Sequence, residues 1–197
     1  MNSFQARLLR KIARVGGVLA NPAHAERAIL KRTPSAPFLS KLAFDVHPRP
    51  HYAYGLYFAS MEAKALGLDR ISAIEFGVAG GAGLKEMENY ALEIQPLTGV
   101  SIQLFGFDTL TGMPPPTDHR DMPYVWASGL FRPTPKIIES FVKTPTMVIG
   151  DVRDTAPRFF AEHNPPPLGF VAFDLDYHSS TVAALSLFSG PESAILP

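Results

Sequence analysis

The stretch Ile71-Ser-Ala-Ile-Glu-Phe-Gly-Val-Ala-Gly-Gly-Ala-Gly83 concentrates the residue types most able to do chemistry in this chain. An apolar run closes on Glu75, glycines follow at 77, 80, 81 and 83, and Leu84-Lys-Glu-Met-Glu-Asn-Tyr-Ala-Leu-Glu93 reads as a helix. Glycines let a turn take positive φ and let a ligand approach bare backbone. The helix start beyond them offers N–H groups with no intrahelical acceptor. A carboxylate at the strand tip repels phosphate and suits a ligand that carries a positive charge or hydroxyls. The stretch therefore predicts a site for a nucleoside cofactor. S-adenosylmethionine fits it better than a dinucleotide.

The elements that must position this site alternate. Tyr52–Leu66 reads as a helix with Gly67 as its C-cap, and its Tyr54, Tyr57, Phe58 and Met61 read as a core stripe, with Tyr54 or Tyr57 able to wall the pocket. Strand Ile71–Phe76 is followed by a helix from Leu84 to Ile94, which Pro96 is expected to stop. Strand Ser101–Phe107 ends in Asp108, and a long loop follows, carrying His119, Tyr124, Trp126 and Phe131. Loops of that length in compact domains usually serve function, and the aromatics read as a lid. Pro135–Val142 reads as a helix and Thr146–Ile149 as a strand leading into Gly150-Asp151. Residues 154–163 read as one short helix capped by Asp154 or Thr155. Strand Gly169–Phe173 leads into Asp174-Leu-Asp176, and a last helix begins at Thr181.

Four strand–helix alternations predict an α/β fold, a doubly wound parallel sheet with helices on both faces. Ligands in such sheets sit beyond the carboxyl ends of the strands. Glu75, Asp108, Asp151 and Asp174 all fall at those ends, which points to a site on one rim.

Residues 1–51 read as a basic helical extension ahead of a domain at 52–197. Nine of the 18 Lys and Arg lie in residues 1–50, against two of the 18 acids. Phe4, Leu8, Ile12, Val15 and Leu19 recur at helical spacing among basic residues. Such a helix suits a membrane surface, a targeting leader, or docking on its own domain or a second subunit; the last is favoured, and it offers a contact for a homo-oligomer. Asn21 reads as the cap of a following helix. The chain has 197 residues, no net charge and no cysteine. Zero net charge gives no overall attraction to nucleic acid, and no run approaches a membrane span. The absence of cysteine excludes disulfides and thiolate metal sites and fits a reducing compartment. The expectation is a cytoplasmic protein with a small-molecule substrate.

Two chemistries compete for the glycine turn. Gly77-Val-Ala-Gly-Gly81-Ala-Gly83 also fits the GxxxGxG of short-chain dehydrogenases, but none of the six tyrosines has Lys four positions on, so hydride transfer is demoted. Glu75-Phe-Gly77-x-x-x-Gly81 resembles the first motif of class I S-adenosylmethionine-dependent methyltransferases. More narrowly, that segment, Gly106-Phe-Asp-Thr-Leu-Thr-Gly-Met-Pro114, Gly150-Asp-Val-Arg-Asp-Thr-Ala-Pro157 and Asp174-Leu-Asp-Tyr-His-Ser-Ser-Thr181 resemble the macrocin O-methyltransferase family, over residues 52–188.

The resemblance implies a Rossmann-like sheet of strand order 3-2-1-4, with the remaining strands missing, and methyl transfer to a hydroxyl of a sugar or other small molecule. Implied cofactor contacts are Glu75, Gly77, Ala79, Gly81 and Gly83 at the methionine end, Asp108 with Thr109 at the ribose, and Asp151 with Val152 at the adenine. It implies a Mg²⁺ ion on Asp174 and Asp176, with Asp174 also counted as catalytic. His119 is the first candidate general base and His178 the second. In this family a fifth strand with a further acidic pair follows the helix begun at Thr181. The chain is therefore expected to be C-terminally truncated. The alternative is a non-catalytic remnant that serves as a cofactor-binding or interaction module.

Overall fold

The computed structural model describes residues 22–133 and 143–196. Backbone contacts divide the chain between Pro50 and His51 into two compact units. The first contains helices α1 (Pro22–Leu30) and α2 (Phe38–Ala43). There His47 Nε2 lies 3.0 Å from the Phe38 carbonyl, and Arg27 Nη2 donates to the Asp45 carbonyl. The amphipathic stretch 4–19, the cap at Asn21 and the helix expected at Pro135–Val142 lie outside the described residues.

The second unit is built on four parallel strands, β1 (Arg70–Phe76), β2 (Ser101–Asp108), β3 (Thr146–Ile149) and β4 (Leu168–Phe173), in the order β3-β2-β1-β4. The expected fold class and strand order hold. β1 is central, buried from Ile71 to Phe76, and its side chains alternate between two helical layers. Ile74 and Phe76 join Phe105, Phe107, Val148 and Phe159 in the larger core. Ile71 packs on the opposite face with Ala63 and Val100.

Helix α3 (Pro50–Ala65) and helix α4 (Ala82–Thr98) cover the face bearing Ile71 and Glu75. α3 buries Tyr52, Ala53, Leu56, Ser60 and Ala63, while Tyr54, Phe58 and Met61 are exposed. The expected aromatic core stripe is thus corrected: small residues let α3 lie close on the sheet, and a Cβ at Gly55 would overlap the Phe170 ring. Pro96 does not stop α4, which runs on to Thr98 before Gly99 closes it at φ 81°. A proline this near a C-terminus removes one backbone bond, and the left-handed glycine ends the helix.

The other layer begins with α5 (Val152–Thr155), capped by Asp151 and not by Asp154 or Thr155. A 3₁₀ turn, Ala156–Arg158, separates α5 from α6 (Phe159–His163), so the single helix expected at 154–163 is three pieces. Helix α7 starts at His178, three residues before the expected Thr181, and gives way after Ala184 to a 3₁₀ turn over Leu185–Ser189. Beyond it, Ile195 bridges Leu168 in parallel and Leu196 N–H donates to the Leu168 carbonyl at 3.0 Å.

Candidate functional site

The glycine turn sits at the carboxyl end of the central strand, and its shape follows from three contacts. Gly77 has φ 86°, and a Cβ there would overlap the Asp174 carbonyl, so only glycine suits both the dihedral and the approach of β4. Gly77 N–H donates to the Phe107 carbonyl and Asp174 N–H to the Phe76 carbonyl, both at 2.9 Å, which ties the tips of β2, β1 and β4 together. The turn continues through Ala79 at φ 45° and Gly81 at φ 83°, the residue preceding α4. A non-glycine residue in the left-handed region is uncommon and persists where its surroundings over-determine it.

Asp108 supplies that constraint. Its Oδ2 accepts from Val78 N–H at 3.0 Å and Ala79 N–H at 2.8 Å, and its Oδ1 accepts from Leu110 N–H at 2.7 Å. The same half-buried carboxylate therefore shapes both the glycine turn and the start of the loop after β2. Thr109 Oγ1 donates to the Gly112 carbonyl and closes that loop's first turn.

Glu75 lies behind the turn. It is 1% exposed, accepts a 2.9 Å bond from Tyr52 Oη, and sits where a Cβ on Gly83 would overlap its Oε1. Tyr52, and neither Tyr54 nor Tyr57, is the α3 tyrosine that reaches the site. Its place in the first turn of α3 was the available sequence signal.

Asp151 follows β3 and caps α5 by accepting from Arg153 N–H at 2.9 Å. The Arg153 guanidinium also donates to both of its oxygens, and this bond, more than the backbone one, holds the carboxyl below the usual range. Val152 is buried in the core, so only its backbone can face a ligand.

At the β4 end, Asp174 and Asp176 are both exposed. Partial burial of the Asp176 carboxyl, and then repulsion from Asp174, raises its pKa. The two supply hard oxygens, the donor type Mg²⁺ takes, but a Mg²⁺ ion wants about six. Among the described residues no group of three or more His, Cys, Asp or Glu is placed to hold a metal. The pair alone does not make a metal site.

The adjoining residues carry unmade bonds. Tyr177 is 2% exposed, and its hydroxyl has no hydrogen-bond partner among the described residues; neither does the buried His178 Nδ1. Burial, then Asp121 and Asp176, raises the Tyr177 pKa. His119 projects from the loop after β2 with its side chain 90% exposed, 3.2 Å from the Asp118 carboxylate. Two residues on, Asp121 is fully buried and accepts four bonds. Two come from its own loop, Thr117 N–H and Asp118 N–H, and two from Ser179, through its N–H and Oγ. Sequence reasoning passed over Asp121. Asp118 three residues earlier, as in a capping box, was its only local signal.

The structure thus brings Glu75, Gly77, Ala79, Gly81, Gly83, Asp108 and Asp174 to adjoining strand tips. Asp151 lies one strand further along the same edge, and Asp176 and His178 follow Asp174. His119 reaches that neighbourhood only through the loop that Asp121 ties to α7.

No family model matches the sequence, and no curated protein matches it. Among solved structures, the chain is similar to CalS11, a calicheamicin methyltransferase, at 21% identity and TM-score 0.51, over 85% of this chain and 72% of that one. The apo structure of CalS11, described as a TDP-rhamnose 3'-O-methyltransferase of calicheamicin biosynthesis, aligns at 20% identity and TM-score 0.42, over 89% and 75%, too low a score to weigh. At these identities the likeness reaches as far as the fold: a parallel α/β sheet shared with a methyltransferase.

Proposed function

We propose that the chain is a class I methyltransferase that uses S-adenosylmethionine to methylate a hydroxyl of a small molecule, such as a sugar. The observation that carries this reading is the glycine turn gripped by Asp108. A left-handed Gly77 and Ala79 leave bare backbone at the tip of the central strand, and the acid on the next strand already binds that backbone. The methionine end of the cofactor lies along Gly77, Ala79, Gly81 and Gly83. Asp108, with about one of its four acceptor sites left, takes a ribose hydroxyl with Thr109 beside it, and Asp151 and the Val152 backbone border the adenine. Glu75 acts from behind the turn, with its carboxylate packed against Gly83 in the first turn of α4.

The acceptor approaches from the β4 side. S-adenosylmethionine held at the glycine turn would supply the methyl group: the acceptor oxygen would take the methyl carbon as its bond to sulfur breaks, with the bonding pair left on sulfur. The acceptor's proton passes to a base, His119 or His178. Asp174 and Asp176 are the residues that would hold a Mg²⁺ ion. Bound there, the ion would lower the pKa of the acceptor hydroxyl. The incomplete donor set means that the transfer is derived without it.

Calorimetry with S-adenosylmethionine, with and without Mg²⁺, tests the reading on the wild type and on Asp108→Ala. Saturable binding that weakens at least about tenfold in the variant is expected, the loss of one charged acceptor. NADH binding with no S-adenosylmethionine binding would replace this reading with hydride transfer. Cofactor binding without methyl transfer to any hydroxyl acceptor would favour a binding module.

A further inference from the structure

The loop after β2 is long, polar at its start and strained. Leu110, Met122 and Phe131 all have positive φ, at 58°, 51° and 57°. Non-glycine residues hold such dihedrals only where other contacts enforce them. Of its aromatics, Tyr124 and Phe131 are exposed and Trp126 is half-buried. A buried polar group that joins it to α7 is Asp121. Helix α7 has no side-chain cap of its own from Tyr177, and Asp121 takes that role from 58 residues away in sequence.

We propose that Asp121 is a positioning residue: its carboxylate clamps the loop after β2 onto the first turn of α7, so that the two halves of the site are held in one geometry. The loop begins at Asp108, which grips the glycine turn, and α7 begins two residues after Asp176. A clamp between them links the cofactor half to the acceptor half and carries His119 to the β4 side. The assignment of halves rests on the methyltransferase reading; the clamp itself does not.

The group must be a carboxylate. Oδ1 faces the Ser179 N–H, and Oδ2 faces Thr117 N–H, Asp118 N–H and Ser179 Oγ. An asparagine in either orientation would turn its NH₂ toward a backbone N–H and leave at least one donor unanswered. Buried donors left so are costly, and the cheapest relief is for the loop to lift away.

Trp126 lies in this loop and is the single tryptophan of the sequence, so its fluorescence reports on the loop alone. The test compares the wild type, Asp121→Asn and Ser179→Ala, with S-adenosylhomocysteine as the probe ligand. In Asp121→Asn, with far-UV circular dichroism unchanged, Trp126 emission should shift to the red and protease should cut between residues 109 and 131. S-adenosylhomocysteine should still bind, through Asp108 and the glycine turn, but without the Trp126 response that the wild type gives. Ser179→Ala, which removes one donor of four, should show the same changes weakly and serves if the first variant does not fold. Emission and protease resistance unchanged in both variants would overturn the clamp. A residue that only adds stability would leave the Trp126 response intact below the melting transition. Failure of every protein to bind S-adenosylhomocysteine would defeat the methyltransferase reading, while the ligand-free emission still decides the clamp.

Discussion

The two halves of the candidate site are built in opposite ways. Around the glycine turn, each carboxylate accepts at one or both of its oxygens from within the domain. Asp108 accepts three backbone N–H bonds, Glu75 accepts from Tyr52, and Asp151 is held by Arg153. On the β4 side, the Tyr177 hydroxyl, His178 Nδ1 and, in the loop, Trp126 Nε1 are buried without a partner among the described residues. A buried polar atom left without a bond costs about 1–3 kcal/mol. Such atoms mark a place that water or a ligand completes. The difference teaches that the first half is a preformed cradle of backbone, whereas the second half has bonding capacity left to spend on an acceptor.

That contrast can be broken most sharply at Gly77. Ala at 77 would meet both a positive φ and the Asp174 carbonyl, and backbone cannot yield as a side chain can. Gly77→Ala should destabilise by about 3 kcal/mol or more, measured by urea unfolding. A near-neutral result would show that the turn is adaptable and not preformed.

A matched pair of tyrosines sharpens the comparison at intermediate size. Tyr52→Phe removes a bond to a buried carboxylate and should cost about 2 kcal/mol. Tyr177→Phe removes an unanswered hydroxyl and should be neutral, or stabilising by about 1 kcal/mol, in the ligand-free protein. Equal losses from both would mean that the Tyr177 hydroxyl is already used and that the two halves do not differ.

The mildest effect is confined to acid. Glu88 on α4 accepts from Lys143 N–H and from Thr144 N–H and Oγ1, and pairs with Lys85 at 2.9 Å. Burial alone would raise its pKa, but the bonds from Lys85 and Thr144 outweigh it and lower the carboxyl to about 2. A depressed pKa contributes stability that is complete above the unfolded value of about 4.5 and is lost as pH falls through about 2. The melting temperature should therefore drop over that window, and Glu88→Gln should flatten the drop. Asp121, whose four hydrogen bonds outweigh its burial and lower its pKa, adds a fall of the same sign on the other half. Hydrogen exchange at β3 against exchange in the loop after β2 separates the two.

Much of the frame was legible before any coordinates. The β-rich runs and the punctuation by glycine and proline place all four strands within a residue or so, because strand pattern and turn chemistry are local. Helix ends were less legible. Pro96 reads as a stop but the helix runs two residues beyond it, and the cap of α5 lies at Asp151, earlier than Asp154, because the chain turns immediately after β3. The aromatic side of α3 was misread for a different reason. Tyr54, Phe58 and Met61 look like a core stripe, yet the face laid on the sheet is that of Tyr52, Ala53, Leu56, Ser60 and Ala63, which helical periodicity alone does not disclose.

By itself the sequence determined the four strands, the glycine turn and the row of acids at the strand ends. Each of these follows from local preference and from the few topologies open to alternating strands and helices. Only the tertiary structure decided what the acids do. Glu75 turns inward to Tyr52 and Gly83, Asp108 folds back on the turn, Asp151 is held by Arg153, and Asp121 reaches Ser179. A carboxylate's partners are set by which donors lie within about 3 Å, and residues 58 apart in sequence come that near only after the chain has packed.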